Sequence, residues 1–426
     1  MKTTKLFFMA ALALMTAACS NDDNDLTTQQ PQKAEGITIT AQLAPKTNGA
    51  TTRAVSEGGD RIVAEWAVDE HIAVLYTKDG NQMADATITA VDGTTGVATI
   101  TFTVEAGTPD NTPCTLVYPL SAAKDDHTGV KDAGELLGAQ DGTLSANLDV
   151  RVGEGTIQTT TPGLTVTTQP AAQYSIFKFT LQDLSTAAKS ATEFKVSDGS
   201  GNVMTTVTPG SASGELYVAL PVMAAGTYWF NATIDSKPYI AKATTTAATV
   251  AGKYYQTTVK MATLGDVIKA DGKFYAAGTE GAVAMIAYLG NGSNCTNGLA
   301  FQLNASPEQM NWSDACTYSS YPSITGNPGT WRLPSKADWQ NMFVGCAKSG
   351  DAGASDNMDP IAGFKEKIGA TGITWTGNYC WSSTESGSNV WVVHVSLRDT
   401  PQVIARARFK EYKKSDLYYV LGCLAF

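Results

Sequence analysis

The sequence lacks the residue sets that catalysis needs, so its chemistry should lie in side chains that can be modified, cut or contacted. Three histidines (His71, His127, His394) and seven scattered cysteines, with no C-x-x-C pair, give a zinc site little to use. Neither G-x-S-x-G, nor a phosphate-binding P-loop, nor H-E-x-x-H occurs. No catalytic, cofactor or metal-binding set is expected, and the chain reads as a non-enzyme. Three kinds of residue stand out instead. Cys19 follows "TAA" at the end of a short apolar run. Arg53, followed by Ala54, is the one arginine of "APKTNGATTRAV", a stretch of small polar residues of the kind where proteases nick. Arg406, Arg408 and Lys410 belong to "RARFKEYKK", a basic run in an acidic chain. Such a run either contacts anionic glycans or lies as a solvated hairpin, and the hairpin is the favoured reading.

The bulk composition bounds what must position these residues. A chain of 426 residues is too long for one ordinary core, so two or three domains are expected. A formal charge of -10 argues against nucleic acid as a partner, because that needs a basic footprint. The N-terminus carries Lys2 and Lys5, then an apolar run from Leu6 to Met15, too short to span a bilayer and suited to a secretory signal over residues 1–18. The Cys19 context resembles a lipoprotein lipobox, with Thr16 where the strict pattern prefers Leu. That resemblance implies an acylated Cys19 as the mature first residue, held stably because several acyl chains anchor where one does not. The acidic "SNDDND" after it resembles export tags that send lipoproteins to the outer face of an outer membrane.

Residues 19–53 read as a lipidated tether followed by one strand. Ser20 to Lys33 is polar and poor in aromatics, hence a tether. "ITITAQL" (Ile37 to Leu43) alternates apolar and polar residues, the pattern of a half-buried strand. Beyond Arg53 come "RIVAEWAVDEHIAVLY", "ATITAVDG", "GVATITFTV" and "CTLVYPL", then "YSIFKFTLQDL", "TEFKVSD", "GELYVALPV", "GTYWFNATI" and "AGKYYQTTVKM". β-Branched and aromatic runs between Gly, Asp and Pro turns, at this spacing, predict antiparallel sandwiches.

"EWAVDEHIAVLY", "FKFTL", "LYVALP" and "AGKYYQTTVKM", together with the lipobox and "TTRA", resemble the fimbrillin family of type V pilin-like surface lipoproteins over roughly residues 1 to 262. The resemblance implies two β-sandwich domains, 54–165 and 166–262. It also implies an Arg-specific cut between Arg53 and Ala54 that releases "ITITAQL". A strand of a neighbouring fimbrial subunit would then fill the opened groove by donor-strand exchange, since an unpaired sheet edge is costly.

After Met261 the texture changes, with six of eight Trp and five of seven Cys. A short helix is expected around Trp312 to Tyr318, with Asn311 or Ser313 as N-cap. A second starts at Ser335 with Asp338 completing an acidic capping box, and Trp339, Met342, Phe343 and Cys346 share one face. "WRLPSKADW", "CWSSTE" and "YVLGCLAF" resemble the C-type-lectin-like fold over residues 263–426. Glu-Pro-Asn, Gln-Pro-Asp and Trp-Asn-Asp, the residues of calcium-dependent sugar binding, are absent, as is a paired Cys of the formylglycine-generating kind. Six cysteines besides Cys19 allow many pairings, and spacing does not choose. The lectin-like resemblance favours Cys316 with Cys423.

The expected fold class is therefore mostly β: two antiparallel β-sandwich domains followed by an α+β C-type-lectin-like domain. The expected function is a fimbrial subunit at the tip of the fibre, accepting a strand but donating none, because "LGCLAF" closes a folded domain. Expected partners are other fimbrial subunits, a glycan or protein ligand of host or microbial origin, and the outer membrane through the lipid. The expected location is the surface of the outer membrane and the fimbrium. The alternative is a monomeric cell-surface glycan-binding lipoprotein.

Overall fold

A computed structural model describes residues 35–46, 55–58, 61–292, 295–326, 329–372, 378–397 and 405–426. The chain is mostly β, and its strands gather into three successive units.

The first unit contains β1 (Ile37–Leu43), the hairpin β2 (Val55–Gly58) and β3 (Arg61–Ala64), β4 (His71–Thr77), β5 (Asn81–Val91), β6 (Ala98–Val104) and β7 (Thr112–Tyr118). After α1 (Ala133–Leu137) and β8 (Ala139–Gln140) it is completed by β9 (Arg151–Gln158) and β10 (Gly163–Ala172). Seven of these strands form one antiparallel sheet in the order β1-β6-β5-β4-β7-β9-β10. The sheet curls until its two edge strands, β1 and β10, lie against each other. Alternation explains the curl. Ile39, Leu43, Ile72, Val74, Ile88, Ile100, Phe102 and Leu116 all point to one side and close a common core. On the other side, Ala73, Leu75 and Val117 are covered by Ala122, Ala123 and Val150 from the segment between β7 and β9. Within that segment Asp132 and Glu135 form a capping box that starts α1.

The second unit contains β11 (Ser175–Asp183), β12 (Glu193–Ser197), β13 (Val203–Val207), β14 (Glu215–Leu220), β15 (Gly226–Ile234), β16 (Lys237–Thr245) and β17 (Tyr254–Thr263). Its sheet runs β14-β11-β17-β16-β15-β12-β13-β8. β17 touches β16 only through Tyr239↔Thr263 and Ile240↔Ala262, so the sheet splits into two leaves there. Phe177, Phe179, Leu216 and Val218 of one leaf face Phe194, Val196, Tyr228 and Phe230 of the other. This is a sandwich, with two departures from antiparallel pairing: β11 runs parallel to β17, and β8 parallel to β13.

The division expected at 165/166 falls inside β10, which stays paired with β9 to Ala172. α1 and β8 precede that division, yet β8 joins the second sheet. Turn signals mark where strands end, but do not say which sheet a strand enters.

The third unit contains β18 (Val267–Lys269), β19 (Phe274–Tyr275), β20 (Ala282–Leu289), β21 (Gly298–Gln302), α2 (Trp312–Cys316), β22 (Thr330–Arg332), α3 (Lys336–Gly345), β23 (Asn357–Met358), α4 (Ala362–Ala370), β24 (Asn378–Ser386), β25 (Asn389–Ser396), β26 (Arg406–Lys413) and β27 (Cys423–Ala425). A six-stranded sheet (β19-β18-β20-β21-β27-β22) and a four-stranded sheet (β23-β26-β25-β24) share α3, which packs on both. The expected helix face is buried: Trp339, Met342, Phe343 and Cys346 meet Phe301, Phe364 and Val393. Asn311 caps α2 and Ser335 with Asp338 boxes α3, as their sequences predict. α4 was not foreseen. Its Phe364 and Ile368 face inward, and the Asp351 carboxylate accepts from the backbone N–H of Ala362 (2.9 Å) and Gly363 (2.7 Å).

The third unit sits on the second through an apolar cluster, with Asn231 Nδ2 donating to Asn297 Oδ1 (3.2 Å) beside it. Trp229 stacks on Phe426 with centroids 5.9 Å apart, and Ile240 and Ala262 pack with Ile268, Ile286 and Leu424. Among the described residues no helix is long and apolar enough to cross a membrane.

Candidate functional site

β1 is one of the two edge strands of the first sheet. It has one ladder partner, β6, paired from Ile37↔Val104 to Leu43↔Ala98. Its other side lies on β10 with no ladder, touching it through Ala44 N–H to Gln169 Oε1 at 3.1 Å. Ile39, Ala41 and Leu43 are buried in the core, while Thr38, Thr40 and Gln42 face out. Thr38 meets Thr103 (3.3 Å) and Thr40 meets Thr101 (3.5 Å) on the exposed face. Taking β1 away would therefore leave a groove between β6 and β10, floored by apolar side chains and edged by unpaired β6 backbone.

Just beyond β1 the chain passes a buried polar cluster. Lys46 Nζ lies 3.3 Å from Glu70 Oε2 and 3.6 Å from Asp149 Oδ2. It sits over the rings of Tyr118 (3.6 Å) and Trp66 (4.3 Å). Arg151 Nε donates to both Asp149 oxygens at 2.9 Å, and the Tyr118 hydroxyl donates to Glu70 Oε1. Burial brings the Lys46 ammonium down to about 8, against the pull of Asp149 and Glu70. Nothing in the sequence marks Lys46, because its partners stand 24 and 103 positions away.

At the other end of the chain, β27 is held between β21 and β22 (Phe301↔Cys423, Arg332↔Cys423) and is buried at Cys423 and Leu424. The final strand is shorter than "LYYVLGCLAF". Tyr418 and Tyr419 make only single bridges, to Met310 and Cys380.

Arg406, Arg408 and Lys410 lie on one face of β26, opposite Ser396, His394 and Val392 of β25. This is a strand in a four-stranded sheet, paired with β23 as well as β25. Arg408 approaches Asp359 at 3.8 Å, and Lys410 is exposed. Beside them Tyr379 stacks on His394 at 4.2 Å, with Tyr412 and Tyr418 against it. Burial first, then the three cations, hold the His394 imidazole below its usual range. The result is a face combining ring surfaces with positive charge. The grouping was missed because Tyr379 stands far from Tyr412 and Tyr418 in the sequence, and only the β24-β25-β26 sheet brings them together.

The Cys316–Cys423 pairing is corrected: both thiols are free, as are Cys114, Cys295, Cys346 and Cys380. The reason is direction. A Cβ on Gly422 would meet the Tyr321 ring at 2.6 Å, so Cys423, next along an extended chain, faces the opposite way into the main core. Cys316 is exposed on α2. Burial pushes the Cys423 thiol up to about 12. Among the described residues no group of three or more His, Cys, Asp or Glu could hold a metal ion. Cys19, Arg53 and Ala54 lie outside the described residues.

No protein-family model matches the sequence, and no curated protein matches it. Solved structures are similar at a distance. A fimbrial protein from Bacteroides ovatus aligns over 92% of this chain and 99% of its own, at 13% identity and a TM-score of 0.24. A fimbrial assembly protein from Parabacteroides distasonis covers 52% of this chain and 90% of its own, at 11% identity and a TM-score of 0.31. The pilus 2b backbone protein of group B streptococcus covers 54% and 86%, at 14% identity and a TM-score of 0.18. At scores this low the likenesses carry no argument about function.

Proposed function

We propose that the chain is a fimbrial subunit that accepts a donor strand in the β1 groove and displays its third unit, lectin-like in the sequence reading, at the fibre tip. In this reading acylated Cys19 carries the precursor to the outer membrane, and a cut between Arg53 and Ala54 frees β1. The observation that supports it is the seat of β1: an edge strand with a buried alternating face, followed in the chain by the segment that contains Arg53. Full burial of Ile39 and Leu43 contributes about 1.5–3 kcal/mol each, so a vacated groove would favour another strand of like pattern. β27 supports the tip assignment. A donor must be free and extended, and this strand lies between two others with its side chains in the core. The face of Arg406, Arg408, Lys410, Tyr379 and His394 is the proposed contact for a glycan or protein ligand.

Arg53→Ala is expected to leave the precursor uncut and absent from sheared fimbriae while its membrane-bound amount is unchanged. Equal incorporation of the uncut variant would sink the exchange reading and favour a monomeric glycan-binding lipoprotein. Immunogold labelling against residues 263–426 is expected to mark fibre ends. Regular labelling along the shaft would show that the subunit polymerises through both ends.

A further inference from the structure

The segment after β1 does more than lead away from the groove. Ala44 and Lys46 offer their carbonyl oxygens to Trp66 Nε1 (2.8 Å) and Arg151 Nη1 (3.1 Å), and Lys46 places its ammonium in the cluster those residues line. Trp66 and Tyr118 stand edge to face with centroids 5.2 Å apart, and together with Glu70 and Asp149 they enclose Nζ. Lys46 is 8% exposed, Asp149 4% and Arg151 7%. Two cations therefore balance two carboxylates in a largely buried site. Remove the leader, and Arg151 faces both carboxylates alone, the ring box empties, and two buried donors lose their acceptors.

We propose that Trp66, Tyr118, Glu70 and Asp149 form a lysine-reading socket at the end of the groove, so that the segment replacing β1 is an extended strand of another subunit with three alternating apolar residues and a lysine three positions after the last. The pattern is that of Ile39, Ala41, Leu43 and Lys46 in the seated leader. This proposal rests on the reading that β1 is replaced. Selectivity comes from what a wrong strand leaves behind. An apolar side chain in the socket keeps the buried Asp149 and the largely buried Glu70 carboxylates against one guanidinium, and breaking a buried pair is far more damaging than never forming it. Burial lowers the protonation range of Lys46, so the ammonium enters the socket at a desolvation cost that Asp149 and Glu70 offset in part. Arginine suits the socket less well, because its planar fork is broader than an ammonium and Arg151 Nε already donates to both Asp149 oxygens.

Two arms separate the socket from the exchange reading. In the intact full chain, hydrogen exchange of β1 and β6 amides is expected to speed up at least ten-fold in Lys46→Met, with β11 to β17 unchanged. Adding Glu70→Gln to Lys46→Met should restore most of the protection, because the remaining Asp149 and Arg151 charges balance. A packing role alone would not show that rescue, so absence of rescue, or unchanged exchange in Lys46→Met, overturns the socket. In the second arm, full chain nicked at Arg53 is offered a synthetic peptide of residues 35–46 or the same peptide carrying Lys46→Met, with uptake followed by native mass spectrometry. At least ten-fold preference for the lysine peptide supports the proposal, and equal uptake overturns it. If neither peptide enters while the first arm succeeds, the replacement reading and the proposed occupant fall, and the socket stands only as a lock on the chain's own leader.

Discussion

Asp338→Ala is expected to destabilise the third unit by about 3–5 kcal/mol, the range for removing one partner of a buried ion pair. Asp338 is 0% exposed and binds from four directions. It accepts from Arg332 Nη1 and, at 2.9 Å, from Arg332 Nη2. It also accepts from the Ser335 backbone N–H and hydroxyl, both at 2.7 Å, while its own N–H donates to Ser335 Oγ at 3.1 Å. One carboxylate thus starts α3 and ties it to β22, the strand flanking β27. Loss of the side chain leaves a half-buried guanidinium without its counter-ion and removes the returning half of the capping box, while the Ser335 hydroxyl still accepts from the backbone N–H of residue 338. Asp338→Asn keeps an acceptor for the cap but not the charge, and should cost about 1–3 kcal/mol. Denaturant unfolding followed through the tryptophan signal would resolve the order. If both variants lie within about 0.5 kcal/mol of the parent, as ordinary surface changes do, Asp338 does not organise this domain as described.

Ile39→Ala and Leu43→Ala are each expected to cost about 2–5 kcal/mol of β1 docking. Both side chains are 0% exposed, face the same core from one strand, and have no cover on that side except the curled sheet. They lie close enough for their effects to couple, so the double variant need not equal the sum. The expected result is local. β1 should become sensitive to protease and β6 amides should exchange faster, while the second sandwich keeps its protection, since its core shares no residue with that of β1. Thr38→Ala and Thr40→Ala, on the outward face of the same strand, should change stability by no more than about 0.5 kcal/mol. Equal sensitivity of inward and outward variants would mean that the apolar groove does not hold β1, and the strand-acceptor reading would lose its physical basis.

Much of this protein was legible in short windows of sequence. Alternation in "ITITAQL" located β1 and named the residues that face inward. Ser335 and Asp338 located the start of α3, and the spacing of Trp339, Met342, Phe343 and Cys346 identified its buried face. These features depend on residues within one turn or one pleat, where propensity, capping and period act directly. Partner choice is different in kind, because every half-buried strand offers the same ladder and a similar apolar face. Only the assembled sheets decided that β1 pairs with β6, that β11 runs parallel to β17, and that β8 crosses into the second sheet. The same holds for side chains. Cys316 and Cys423 share a domain but face apart, because pleat direction at Gly422 sends one of them into the core. Lys46, unremarkable in sequence, becomes a buried ammonium only because the curl of the sheet brings Trp66, Glu70, Tyr118 and Asp149 around it. Local pattern determined the pieces; long-range burial, which must satisfy all the strands at once, decided their company.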